Sequence, residues 1–121
     1  MSLFNGHSNN RLINKKVYLA IMALVYITCK DKKEAEKISR RLLIKRVIAC
    51  ANIFPIRSMY WWKGRIVNDA ENVIIAKTIN KKLRQLENEV KGLHSYEIPC
   101  ILKIGAYANK EYEVWLNKQV K

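Results

Sequence analysis

The sequence predicts an α+β fold: a ferredoxin-like βαββαβ antiparallel sheet with two helices on one face, a long β-hairpin and an extra C-terminal helix. Three observations lead there. Short β-rich apolar runs alternate with two stretches whose apolar residues recur at helical spacing. Lys63-Gly64 separates two strand-like arms, and glycine at such a point supports a tight turn with positive φ. The resulting order, β-α-β-β-α-β, is the split βαβ arrangement of an antiparallel sheet with its helices on one face.

Each element has its own signal. "MALVYITC", residues 22–29, is short and β-rich and reads as a buried strand. Asp31 then stands three positions before Glu34, the pattern of an N-cap with an acidic partner. Ala35, Ile38 and Leu42 follow at helical spacing, predicting a helix over about 32–46 whose outer face carries Lys33, Lys37, Arg40, Arg41 and Lys45. "VIACANIFPI" from Val47 predicts the second strand, with Pro55 at an edge or a bulge. "SMYWW" and "RIVND" are the hairpin arms, and the return arm continues through Thr78. Asn80 is positioned to cap a second helix with the stripe Leu83, Leu86, Val90 and Leu93. "IPCILKIGAY" predicts the last strand, and Asn109 a cap for a terminal helix containing Tyr112, Trp115 and Leu116.

At 121 residues the chain is long enough to bury a real core. Residues 1–21 read as a partly flexible N-terminal extension and residues 22–121 as a single ferredoxin-fold domain. The run Val17–Ile27 follows Lys15 and Lys16 and imitates part of a signal peptide. It is too short to span a bilayer, and no small-x-small cleavage site follows it. Cysteines 29, 50 and 100 form no C-x-x-C pair, so reduced thiols in a cytoplasm fit better than a disulfide framework.

The net charge is +13. Arg11, Lys15 and Lys16 account for three of those charges, leaving +10 on the remaining hundred residues. Such an excess favours anionic partners, although a Lys-, Asn- and Ile-rich composition bias together with solvated helix faces is the simpler account of it. RNA-recognition domains share this element order, but their motif places aromatics after the glycine. "KGRIVNDA" supplies only the first two residues of that motif, so no specific nucleic acid partner is expected, and no membrane partner.

The hairpin carries Tyr60, Trp61 and Trp62 in a row. Side chains alternate along a strand, so Tyr60 and Trp62 face one way while Met59 and Trp61 face the other. Each large aromatic side chain offers about 150–250 Å² to bury, worth roughly 4–6 kcal/mol if fully covered. One chain has nothing to cover both sides of the ribbon, so Tyr60, Trp61 and Trp62 predict an interface with another copy.

Four segments together resemble the CutA family of divalent-cation tolerance proteins: "VYITCKDKKEAEKISRRLLIKRVIACANI", "YWWKGRIVNDAENVIIAKT", "LHSYEIPCILKI" and "NKEYEVWL". The resemblance spans about residues 24–116. It implies a homotrimer of ferredoxin-like subunits, similar in shape to PII signalling proteins, linked to tolerance of copper and other divalent cations. Three departures stand out: residues 1–21 have no counterpart, Ser95 replaces a common proline, and Cys100 replaces a common acidic residue.

The resemblance ties Cys50 most closely to metal, and thiolate suits soft or borderline ions; buried free cysteine is also simply a small hydrophobe. Cys100 adds a soft donor. His94, at the end of the second helix, reads either as a ligand or as a helix-terminal histidine favoured by the macrodipole. Cys50, His94 and Cys100 are thus the expected metal residues, with copper or another divalent cation as the ion. Cys29 lies beside Lys30, where a lysine lowers a thiol pKa, or packs as core. A ligand cleft is expected from Lys63, Glu71, Lys77, Tyr96 and Glu97, in which a PII-like signalling trimer would hold a small anionic ligand between subunits. His7 reads as part of a mobile tail. No G-x-S-x-G, phosphate-binding loop or H-E-x-x-H occurs, and the chain is not expected to be an enzyme.

Overall fold

A computed structural model describes residues 22–121 of the chain; the expectations for residues 1–21, including His7, lie outside the described residues. The elements are β1 (Met22–Cys29), α1 (Lys32–Ile44), β2 (Cys50–Trp62), β3 (Arg65–Ile79), α2 (Leu83–Leu93), β4 (Ile101–Ala106) and α3 (Lys110–Gln119). The sheet order is β2-β3-β1-β4 with every neighbouring pair antiparallel. This is the predicted ferredoxin-like topology. Pro55 lies on the edge strand β2, where its missing N–H costs no ladder bond on the open side.

Alternation divides the sheet into two faces. Val25, Ile27 and Cys29 of β1 point to one face with Ile74 and Ala76 of β3, and there they pack against Ala35, Ile38 and Leu42 of α1 and Leu86 and Val90 of α2. Met22, Leu24, Tyr26 and Thr28 point to the other face. One end of that second face is covered by α3, where Met22 packs with Leu116, Val120, Ile79 and Tyr112. Between this end and the hairpin, Phe54, Leu102 and Ile104 remain exposed.

Several boundaries differ from the sequence expectation. The first helix stops at Ile44 rather than 46, because Arg46 takes φ 58°. Val47 N–H donates to Leu42 O and Arg46 N–H to Leu43 O, the paired bonds of a Schellman motif. No glycine marks this helix end, so the sequence hid it. The Arg46 guanidinium instead donates to Gln119, and Lys121 N–H donates to Arg46 O, tying the C-terminus to this turn. Val47 and Ile48 therefore belong to the core before β2 begins at Cys50. Asn80 opens a 3₁₀ turn ahead of α2 rather than capping the α-helix itself.

The hairpin is the longest feature. Trp62 pairs with Arg65 across a two-residue turn, and Lys63 and Gly64 both have positive φ, 50° and 76°. Positive φ at both central positions is the type I′ arrangement, whose twist matches that of the flanking strands. Met59, Trp61 and Ile66 share one face of this ribbon and are all largely exposed, Trp61 at 72 %. Trp62, on the other face, is 37 % exposed.

Candidate functional site

The site lies at the hairpin end of the sheet, where the segment from His94 to Cys100 wraps around the end of β1. Two clusters form there, one on each face.

On the helix-covered face, Cys29, Glu34 and His94 bring a thiol, a carboxylate and an imidazole within 4.8 Å of one another. Glu34 is placed by its own cap: Asp31 Oδ1 accepts from Glu34 N–H at 2.8 Å. Its carboxylate then accepts from Lys30 N–H at 3.0 Å and from Ser95 N–H at 2.9 Å, stapling the His94–Cys100 segment to the start of α1. Burial alone would raise the Glu34 carboxyl, but hydrogen bonds from Ser95 and Lys30, with His94 nearby, hold it below the usual carboxylate value. His94 uses both ring nitrogens. Its Nε2 lies 2.7 Å from Thr28 O, and its Nδ1 accepts from Tyr96 N–H at 3.0 Å. A carbonyl only accepts, so the proton is on Nε2.

Of the two readings of Cys29, packing as core holds and a thiol lowered by Lys30 does not. Burial pushes the Cys29 thiol up to about 12, and the carboxylates of Glu34, Glu71 and Asp31 add to it. A fully buried side chain cannot solvate a thiolate, and the charges that act on it are acidic.

On the other face, Glu71, Thr28 and Cys100 lie beneath a cleft of about 440 Å³, with Tyr60 and Trp62 as one wall and Ser95–Ile98 as the other. Glu71 is only 5 % exposed, and its Oε2 accepts a 2.5 Å hydrogen bond from Tyr96 Oη. Burial, then this bond and the charge of Glu71, raise the Tyr96 phenol. Burial and Glu71 also raise Cys100, partly offset by a hydrogen bond involving Thr28. Tyr60 donates to Asp69 at 2.8 Å, and this bond is the main cause of its raised phenol pKa.

The fold thus gathers Tyr60, Trp62, Glu71, Tyr96, Glu97 and Cys100 around one cleft, with His94 beneath the segment that closes it. Cys50 is elsewhere. It pairs with Lys77 on β3, six positions from Glu71 and so about 20 Å along the strand. Lys77 lies with its Nζ 5.5 Å from the ring centre of Tyr112, and Lys63 lies over Trp62 without lining the cleft. The charge facing this cleft of the single chain is acidic, and neither Lys63 nor Lys77 lines it. Sequence reasoning did not assign Glu34, Thr28 or Ser95 to a site, although it noted Ser95 as a departure from the family pattern. Only the Asp31-x-x-Glu34 spacing hinted at the first.

Comparison with known proteins agrees with this architecture. The model of the CutA1 divalent ion tolerance protein family matches residues 23–119. The divalent-cation tolerance protein CutA of Thermotoga maritima is 48 % identical over 101 residues, covering 82 % of this chain and 99 % of that protein. Its counterpart from Archaeoglobus fulgidus is 43 % identical over 98 residues, covering 80 % and 96 %. The solved structure of the A. fulgidus protein, described as periplasmic, superposes with a TM-score of 0.82 at 41 % identity over 84 % of this chain and all of that one. CutA1 of Pyrococcus horikoshii gives 0.79 at 39 % identity, covering 82 % and 98 %.

Proposed function

The chain belongs to the CutA1 divalent ion tolerance family, and from that premise we propose that it is a non-enzymatic homotrimer that binds copper at the hairpin end of its sheet. The observation that carries the metal reading is the convergence of Cys29, Glu34 and His94 within 4.8 Å, the one such cluster of three among the described residues. Sulfur, oxygen and nitrogen donors together suit a borderline or soft cation, and copper heads the affinity order of divalent first-row metals. Modest side-chain adjustment would bring the three donors to the bond lengths of about 2.0–2.3 Å typical of such ligands.

Binding there has an identifiable cost. Cys29 must give up its proton, and His94 must release either Thr28 O or Tyr96 N–H. A strongly bound cation supplies both, since a coordinating thiol is deprotonated by the metal itself. Weakly held ions such as magnesium would not. The three cysteines are free, which suits a reducing compartment such as the cytoplasm. No helix among the described residues is long and apolar enough to cross a membrane.

The assembly reading rests on uncovered apolar surface. Met59, Trp61 and Ile66 on the ribbon, and Phe54, Leu102 and Ile104 on the open sheet face, are left exposed among the described residues. Copies packing around this sheet and hairpin would bury both.

Native mass spectrometry with copper under reducing conditions tests the two parts together. The expected result is a trimer that takes up copper, with uptake lost in Cys29→Ser and His94→Gln and retained in Cys50→Ser. A trimer that remains metal-free would refute the metal reading. Uptake lost only in Cys50→Ser or Cys100→Ser would move the site to those thiols.

A further inference from the structure

We infer that the cleft on the open face is a binding site for an organic cation, an ammonium or guanidinium group carried on an apolar body. The site is distinct from the Cys29–Glu34–His94 cluster, which lies on the opposite face of the sheet.

The first argument is the state of Glu71. A carboxylate taken out of water needs hydrogen bonds and an opposite charge to offset its desolvation. Glu71 is 5 % exposed and receives one neutral hydroxyl, that of Tyr96. The ion pairs among the described residues engage Glu87 and Glu89 on α2, and none reaches Glu71. In a chain of net charge +13, no cation among the described residues pairs with this buried acid. Glu97 lines the same cleft, and Asp69 stands behind the Tyr60 wall. Carboxylates in a cleft with low-dielectric walls focus a negative potential that draws cations in.

The second argument is the wall chemistry. Tyr60, Trp62 and Tyr96 present aromatic rings to the cleft, and aromatic faces attract ammonium and guanidinium groups. Trp62 already shows this tendency toward its neighbour, with Lys63 Nζ 5.6 Å from its ring centre. The tyrosine rings are held in place: Tyr60 by Asp69, and Tyr96 by Glu71 and by contact with His94 at 4.8 Å between ring centres. Walls fixed beforehand lose little entropy when a ligand enters.

Size separates an organic cation from a bare metal ion. About 440 Å³ falls within the range of small-molecule pockets, roughly 300–1,000 Å³. A metal ion would fill little of that space. An anion would meet Glu71 and Glu97. The cation has two possible sources: a free small molecule, or a lysine or arginine side chain of another copy of this chain reaching into the cleft.

Isothermal titration calorimetry of the assembled protein with phenethylammonium and butylguanidinium, alongside uncharged 2-phenylethanol, distinguishes them. If the cation is free, both charged probes bind at least about tenfold more tightly than the alcohol. Glu71→Gln and Trp62→Leu each then weaken them by about tenfold, with circular dichroism confirming that both variants fold. Glu97→Gln, on the exposed segment, gives the same direction if Glu71→Gln does not fold. If another copy supplies the cation, the charged probes instead compete with assembly, and Glu97→Gln or Trp62→Leu raises the protein concentration needed for it. No preference for charged probes, together with unchanged assembly in these variants, overturns the inference.

Discussion

Tyr96 reaches across the sheet end to donate a 2.5 Å hydrogen bond to Glu71, 25 residues earlier in the chain. That bond joins the segment after α2 to the middle of β3, and it supplies the buried carboxylate with the one side-chain donor it has among the described residues.

Tyr96→Phe keeps the ring and removes the donor. A buried acceptor left unsatisfied costs about 1–3 kcal/mol, so urea unfolding should show a loss in that range. A loss below about 0.5 kcal/mol would mean that water replaces the hydroxyl in the cleft.

Glu34 gives a pH signature. Its folded pKa is depressed, so its contribution is full above the unfolded carboxylate value and is lost as pH falls through the folded value. Melting temperatures of wild type and Glu34→Gln should differ clearly at pH 7 and converge in acid. A gap that persists at pH 2–3 would assign the effect to packing rather than charge.

Cys29 should resist alkylation. It is wholly buried, and its thiol is pushed up to about 12. The proton it retains favours the folded state fully below the unfolded thiol pKa, and that contribution fades as pH rises toward 12. Mass spectrometry after iodoacetamide at pH 8 should find Cys29 unmodified until denaturant is added, while the half-buried Cys50 and Cys100 react first. Native-state labelling of Cys29 would indicate that the sheet end opens readily.

Gly64 has φ 76°, and a Cβ there would meet nothing within 4 Å. Conformation alone therefore sets the cost of Gly64→Ala, about 1–2 kcal/mol. Lys63→Asn, at φ 50°, should shift stability the opposite way, since asparagine tolerates this region better. No loss in Gly64→Ala would mean the hairpin re-forms with another turn.

Trp61 is 72 % exposed in the single chain. If the ribbon packs on other copies, Trp61→Ser should cost about 2 kcal/mol at the interface, roughly a 30-fold weaker association. Sedimentation on serial dilution reads this directly, and unchanged association would remove the ribbon from the interface.

The order of elements was legible because it rests on local physics. Helical and strand periodicities, the Asp31 cap and the Lys63-Gly64 turn all act within a few residues, and together they specified the ferredoxin-like topology and the two faces of the hairpin. The helix end at Arg46 was not legible, since a left-handed residue other than glycine carries no sequence mark and is held by Gln119 from the far end of the chain. The site divides in the same way. Sequence and resemblance brought out Glu71, Tyr96, Glu97, Cys100 and His94 as separate residues. Only the β1–β3 register and the path of residues 94–100 decided that most of them share a cleft, that Cys50 lies at the other end of the sheet, and that Cys29 meets Glu34 and His94 on the opposite face. Strand pairing sets those distances across many residues of separation, and for Cys29 it decided between the two readings in favour of packing as core.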